Sequence, residues 1–195
     1  MHQDGPMYSK ARISGHAAHP MVVVFPIAFF TGTVALLLAY VGTGDSFYYR
    51  AAMVADLAGV VTALVAMIPG TIDLMALPQR SRAREHAQRH ASGALLVTGV
   101  FGVTGALLYR GWTERVMVNG RWDLDATVPL AIALLGVVML VSAAVAGWAL
   151  VQTHHMGIKP ARTHTYRPSR DPELDTLPPV PMQAPAPLAV RETMS

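Results

Sequence analysis

The chain has 195 residues, 52% hydrophobic and only 14% charged, whereas a soluble domain carries about a quarter charged residues. That deficit points to lipid as the solvent for most side chains, and the absence of cysteine excludes disulfides, thiolate nucleophiles, iron–sulfur clusters and cysteine zinc sites. The net charge of +3 reflects Lys and Arg that flank apolar stretches, which reports membrane topology and leaves nucleic acid without a binding surface.

A spanning helix needs about 20 mainly apolar residues. After a polar leader, residues 1–13, four stretches free of Lys and Arg supply them: Met21–Tyr40, Ala51–Ile72, Ala91–Tyr109 and Val128–Val151. The first has no small-residue cleavage site after it and is expected to remain as an anchor. His16 and His19 precede Pro20, a residue suited to a first helical turn, and frame the start of that span. Pro26 in the first span and Pro69 in the second each remove a backbone donor and are expected to bend their helices. Asp73 closes the second span, where a carboxylate needs a partner, water or a bound ion.

His86 and His90 stand four residues apart and share one face of the third helix. Gly93, Gly99, Gly102 and Gly105 on that helix, with Gly136, Ser142, Ala143, Ala144, Ala146 and Gly147 on the fourth, predict close packing between the two. Between them, Arg110–Asp125 suits a short hairpin turning at Asn119-Gly120. His154 and His155 follow the fourth span, and from Lys159 prolines recur at Pro160, Pro168, Pro172, Pro178, Pro179 and beyond. Such a tail cannot build a core and is expected to be extended or bound to a partner. The expected fold class is therefore all-α, an integral membrane four-helix bundle over residues 14–158, with a Pro-rich extended C-terminal tail over 159–195.

Four spans place both termini on one side, face A, with the loop between spans two and three. Face A holds Lys10, Arg12, Arg80, Arg82, Arg84, Arg89, Lys159 and Arg162, against Arg50, Arg110, Arg115 and Arg121 on face B. The positive-inside rule makes face A cytoplasmic, in a bacterial-type inner (plasma) membrane. Tyr48, Tyr49, Trp112 and Trp122 lie near the helix ends on face B, at the level where amphipathic rings prefer to sit.

Five histidines, His16, His19, His86, His90 and His154, fall on face A together with Asp73, whereas the main ionisable residue within a helix near face B is Asp56. Taken singly, such residues are usually helix caps and interfacial hydrogen-bonding groups. Their convergence on one level of a bundle also suits a ligand site.

Several of these residues carry a family resemblance. The run Gly15-His16-Ala17-Ala18-His19-Pro20, then Val24-Phe25-Pro26-Ile27, Pro69-Gly70-Thr71-Ile72-Asp73, His90, Gly147-Trp148 and His154-His155-Met156-Gly157 resemble the four-helix membrane family known as domain of unknown function 2231, over residues 14–158. Ala17 stands where the family usually has proline. The resemblance implies that His16, His19, Asp73, His90 and His154 match the family's polar signature; His86 lies outside it. Relatives fused to small iron–sulfur or cytochrome-like domains imply a redox setting.

Three readings stay open. In the first, haem b is held by His19 and His90, with His154 as the substitute ligand, in an accessory or electron-transfer subunit that needs a quinone or a partner subunit. In the second, a transition-metal ion is bound among His16, His19, Asp73, His86 and His90. In the third, the bundle and its tail are purely structural parts of a larger membrane complex. Four short helices without inverted repeats argue against a secondary transporter. With no phosphate loop, nucleophile elbow or paired acid/base carboxylates, an enzyme in its own right is not expected.

Overall fold

A computed structural model describes residues 10–14 and 16–154, the side chains of Thr153 and His154 excepted. The chain divides into Met1–Lys159 and Pro160–Ser195. The Pro-rich tail, His155 and the start of the leader all lie outside the described residues.

The chain opens with a two-strand ladder, β1 (Arg12–Ile13) and β2 (His16–Ala17), which pairs Arg12 with Ala17 and Ile13 with His16. The first span follows as α1 (Ala18–Val22) and α2 (Val24–Thr43), divided at Val23. Pro26 explains the division: it has no N–H for the Val22 carbonyl and its ring crowds that group. A left-handed Gly44, φ 69°, then ends α2 by donating to the Tyr40 carbonyl.

The second span, α3 (Ser46–Met75), starts where Asp45 accepts from the Phe47 amide and runs on unbroken through Pro69. Arg84 closes its far end by donating to the carbonyls of Leu74 (3.2 Å) and Leu77 (2.9 Å), and Pro78 prevents continuation. Ser81 caps α4 (Arg82–Thr113) through the Arg84 amide. This helix therefore begins nine residues before its apolar stretch. The strands β3 (Val116–Val118) and β4 (Arg121–Asp123) form the expected hairpin, with positive φ at Asn119 (50°) and Gly120 (76°). Asp125 then accepts from the Thr127 amide at the start of α5 (Thr127–His154). Hydrogen bonds from Thr127, the backbone one largest, hold the Asp125 carboxyl below the usual range.

The spans Ala18–Thr43, Ser46–Met75, Arg82–Thr113 and Thr127–Gln152 contain 26, 30, 32 and 26 residues. At about 1.5 Å per residue each exceeds the roughly 30 Å hydrocarbon core. Leu38, Leu57, Leu64, Leu95, Leu135 and Val138 all point outward, as lipid-facing residues of a membrane bundle do. The fold is an all-α membrane bundle, as its composition predicted.

The core repeats itself. Phe30 and Phe101 each follow a histidine, His19 or His90, by eleven residues, and the buried pairs Thr33/Thr104 and Leu37/Leu108 follow in step. On the second helix of each hairpin, Gly59-Ala66-Gly70 and Gly136-Ala143-Gly147 keep one spacing. The contacts repeat as well. A Cβ at Gly59 would lie 2.6 Å from the Phe30 ring, and one at Gly136 would lie 2.8 Å from Phe101. Because Phe30 and Phe101 also stack on each other, 4.0 Å apart and 10° from parallel, the two hairpins are related by an approximate two-fold axis. Equivalent helices run the same way, so this axis follows the bundle, normal to the membrane.

The predicted pairing of the third and fourth helices is present but uses fewer glycines than expected. Gly93 meets Ala143 and Gly136 meets Phe101, whereas Gly99 and Gly102 face open space and Gly105 faces Asp56 of α3. Helical periodicity accounts for the difference, since each step of three residues falls about 60° short of a full turn and the successive glycines drift around the helix.

Candidate functional site

At the face A end, the two repeats bring one histidine each to the axis. His19, beside the Pro20 turn of α1, donates its Nδ1–H to the Ala66 carbonyl of α3 at 2.9 Å. His90 of α4 donates its Nδ1–H to the Ala143 carbonyl of α5, also at 2.9 Å. A carbonyl can only accept, so Nδ1 carries the hydrogen in each ring and Nε2 is the nitrogen not used in that bond. The ring centroids stand 6.0 Å apart with planes 84° to each other.

Each histidine sits in a notch of the form Ala-x-x-x-Gly. Helical Cβ atoms tilt toward the N-terminus, so the side chain at i+4 covers the carbonyl at i. Glycine at i+4 uncovers it. A Cβ at Gly70 would stand 3.0 Å from His19 Nδ1, and one at Gly147 would stand 2.7 Å from His90 Cε1. In the sequence these glycines belong only to helix packing or to family runs. Their equal spacing from Ala66 and Ala143 is the signal that pairs them with the histidines.

The remaining candidates are placed differently. Among the described residues, no three His, Asp or Glu side chains gather in a group able to hold a metal ion, so the set of His16, His19, Asp73, His86 and His90 is not assembled as one cluster. His16 is exposed on β2, its Nδ1–H donating to the Ser14 carbonyl at 3.1 Å. Asp73 Oδ1 accepts from the Lys10 (2.7 Å) and Ala11 (3.0 Å) amides, which ties the leader to the end of α3. His86 lies one turn before His90 on the part of α4 that extends past the apolar stretch, about 6 Å further along the axis. His154 ends α5, and its side chain lies outside the described residues.

Residues 15–160 match the model of a family described as a predicted membrane protein, DUF2231. The chain belongs to that family. The matched region takes in all four spans and both axial histidines, close to the expected 14–158. No curated protein and no solved structure matches. The DUF2231 region thus contains the whole internal repeat, with His19 and His90 as its equivalent polar pair.

Proposed function

We propose that this DUF2231 protein is a small redox subunit of the membrane that holds one haem b iron between His19 and His90. The observation carrying this reading is the neighbouring pair of imidazoles, each anchored through its Nδ1–H. Two imidazoles that ligate one metal from opposite sides, with metal–nitrogen bonds of about 2 Å, have centroids roughly 6 Å apart; here they stand 6.0 Å apart. Both ring planes contain the N–metal–N line in such a site, so perpendicular rings suit it as well as parallel ones. Ligating histidines characteristically donate the other ring N–H to a carbonyl or carboxylate, which orients the ring and raises its basicity, and Ala66 and Ala143 supply that bond.

The haem would supply a one-electron couple, and the protein would supply two neutral nitrogen ligands, one from each hairpin. A single haem near face A does not carry electrons across the bilayer by itself, so a quinone or a partner subunit completes the reading. The positive-inside bias supports the cytoplasm as the side of face A. A second reading has its own support: the same Nδ1–H bonds join α1 to α3 and α4 to α5, so the imidazoles can serve as helix clamps alone.

A visible spectrum and metal analysis of gently purified protein separate these readings. Sharp bands that shift on reduction, lost in His19→Ala and His90→Ala, are the expected result. A colourless protein with stoichiometric metal replaces haem by an ion on the same two nitrogens. Protein that lacks both, and whose variants lose only stability, leaves the clamp reading.

A further inference from the structure

At one buried position the repeat sets an acid against an alanine. Asp56 precedes Gly59 by three residues, and its equivalent, three before Gly136, is Ala133; their exposures are 1% and 0%. The other hairpin carries a compensating change. Gly105, directly after Thr104, faces Asp56, and a Cβ there would collide with Asp56 Oδ2. The residue in the matching place after Thr33 is Val34. A valine-sized volume is thus missing at Gly105, where the carboxyl is present.

Asp56 Oδ1 is fully buried and has no hydrogen-bond partner. Among the described residues, apart from the tyrosines Tyr40 and Tyr49, the other buried polar side chains are Thr33, Thr98 and Thr104. Their hydroxyls donate to the carbonyls of Phe29, Ala94 and Val100. No charged residue is among the buried side chains of α2, α4 or α5 beside the carboxyl. The nearest titratable groups of the core lie toward face B: Tyr49, two turns back on α3, donates to the Leu108 carbonyl, and Tyr40 of α2 donates to Leu124. An unpaired carboxylate here is costly, and the group is relieved by carrying a proton. Hard cations are a poor alternative, since they require several oxygen ligands.

The order along the bundle places the carboxyl between two closed layers, with the buried Leu37, Ala52 and Leu108 on its face B side. Asp56 lies ten residues from Ala66, about 15 Å below the histidine level, and the stacked Phe30 and Phe101 close the core between them. Toward face B the core offers the two tyrosine hydroxyls, whose rings touch at 5.2 Å between centroids.

We infer that Asp56 is an intramembrane proton-binding site, exchanging its proton with the face B side past Tyr49 and Tyr40. Infrared spectroscopy of the full chain in lipid vesicles tests this without reference to any cofactor. Wild type at neutral pH is expected to show a protonated-carboxyl C=O band that moves in heavy water and is absent in Asp56→Asn, a variant isosteric with the neutral acid. No such band in wild type, or one that persists in Asp56→Asn, overturns the site. If Asp56→Asn does not fold, Asp56→Glu replaces it, and a band at unchanged frequency in that variant overturns the site. Tyr49→Phe is expected to slow deuterium exchange of that band several-fold, and an unchanged rate overturns the face B route.

Discussion

At the residue scale, the glycines opposite the histidines decide whether the rings can reach their carbonyls. In Gly147→Ala the new methyl would stand 2.7 Å from His90 Cε1 and 2.9 Å from its Nδ1, whereas in Gly70→Ala the nearest approach to His19 is 3.0 Å. Overpacking of this kind costs about 1–3 kcal/mol. Thermal unfolding in detergent is expected to show a larger loss for Gly147→Ala than for Gly70→Ala, with any bound iron or metal lost more readily from the former. Gly99→Ala is the control. Nothing lies within 4 Å of that Cβ position, so the helix-propensity gain of about 0.5–1 kcal/mol is expected to stand alone. A destabilised Gly99→Ala would show that the outward face of α4 is covered. The imidazoles themselves were legible in the sequence because histidine is rare near hydrocarbon. Their acceptors were not, because a backbone carbonyl has no letter of its own, and the uncovering glycine looks like any packing glycine.

At the element scale, packing rather than exclusion from water holds the helices together, since lipid solvates leucine as well as a core does. Phe101 is buried in a stack on the axis, while Leu95 of the same helix is 63% exposed. Phe101→Ala forfeits the stack and leaves a void, a loss of about 2 kcal/mol or more. Leu95→Ala, which exchanges one lipid-facing side chain for a smaller one, is expected to stay within about 0.5 kcal/mol. Equal effects in an unfolding assay would argue against the repeat as the organising core. The spans were readable from apolar length, but their ends were not. The caps at Asp45 and Ser81 extend α3 and α4 through polar residues that hydropathy assigns to loops. The repeat is faint in the sequence because only a few positions in each hairpin are identical, and the lipid-facing residues between them need only be apolar.

At the scale of the whole molecule, the lack of cysteine allows topology to be read directly. Gln79 in the loop between α3 and α4, and Met117 on the β3–β4 hairpin, are both exposed. In intact cells a membrane-impermeant thiol reagent is expected to label Met117→Cys and spare Gln79→Cys, as the Lys and Arg distribution dictates. The reverse pattern would turn the bundle over and place the histidine pair outside the cytoplasm.

Symmetry also constrains which residues can stand near the axis. Two identical hairpins assembled as separate chains would present every such side chain twice, so a carboxyl at the Asp56 position would arrive as two buried acids, each in need of its own proton or partner. Joining the hairpins in one polypeptide removes that obligation. One copy carries the acid, the other keeps alanine at Ala133, and the room is made on one side only, at Gly105. Covalent fusion lets a two-fold scaffold keep a matched pair of imidazoles at one end and a solitary carboxyl further along, a combination that an exact dimer cannot encode.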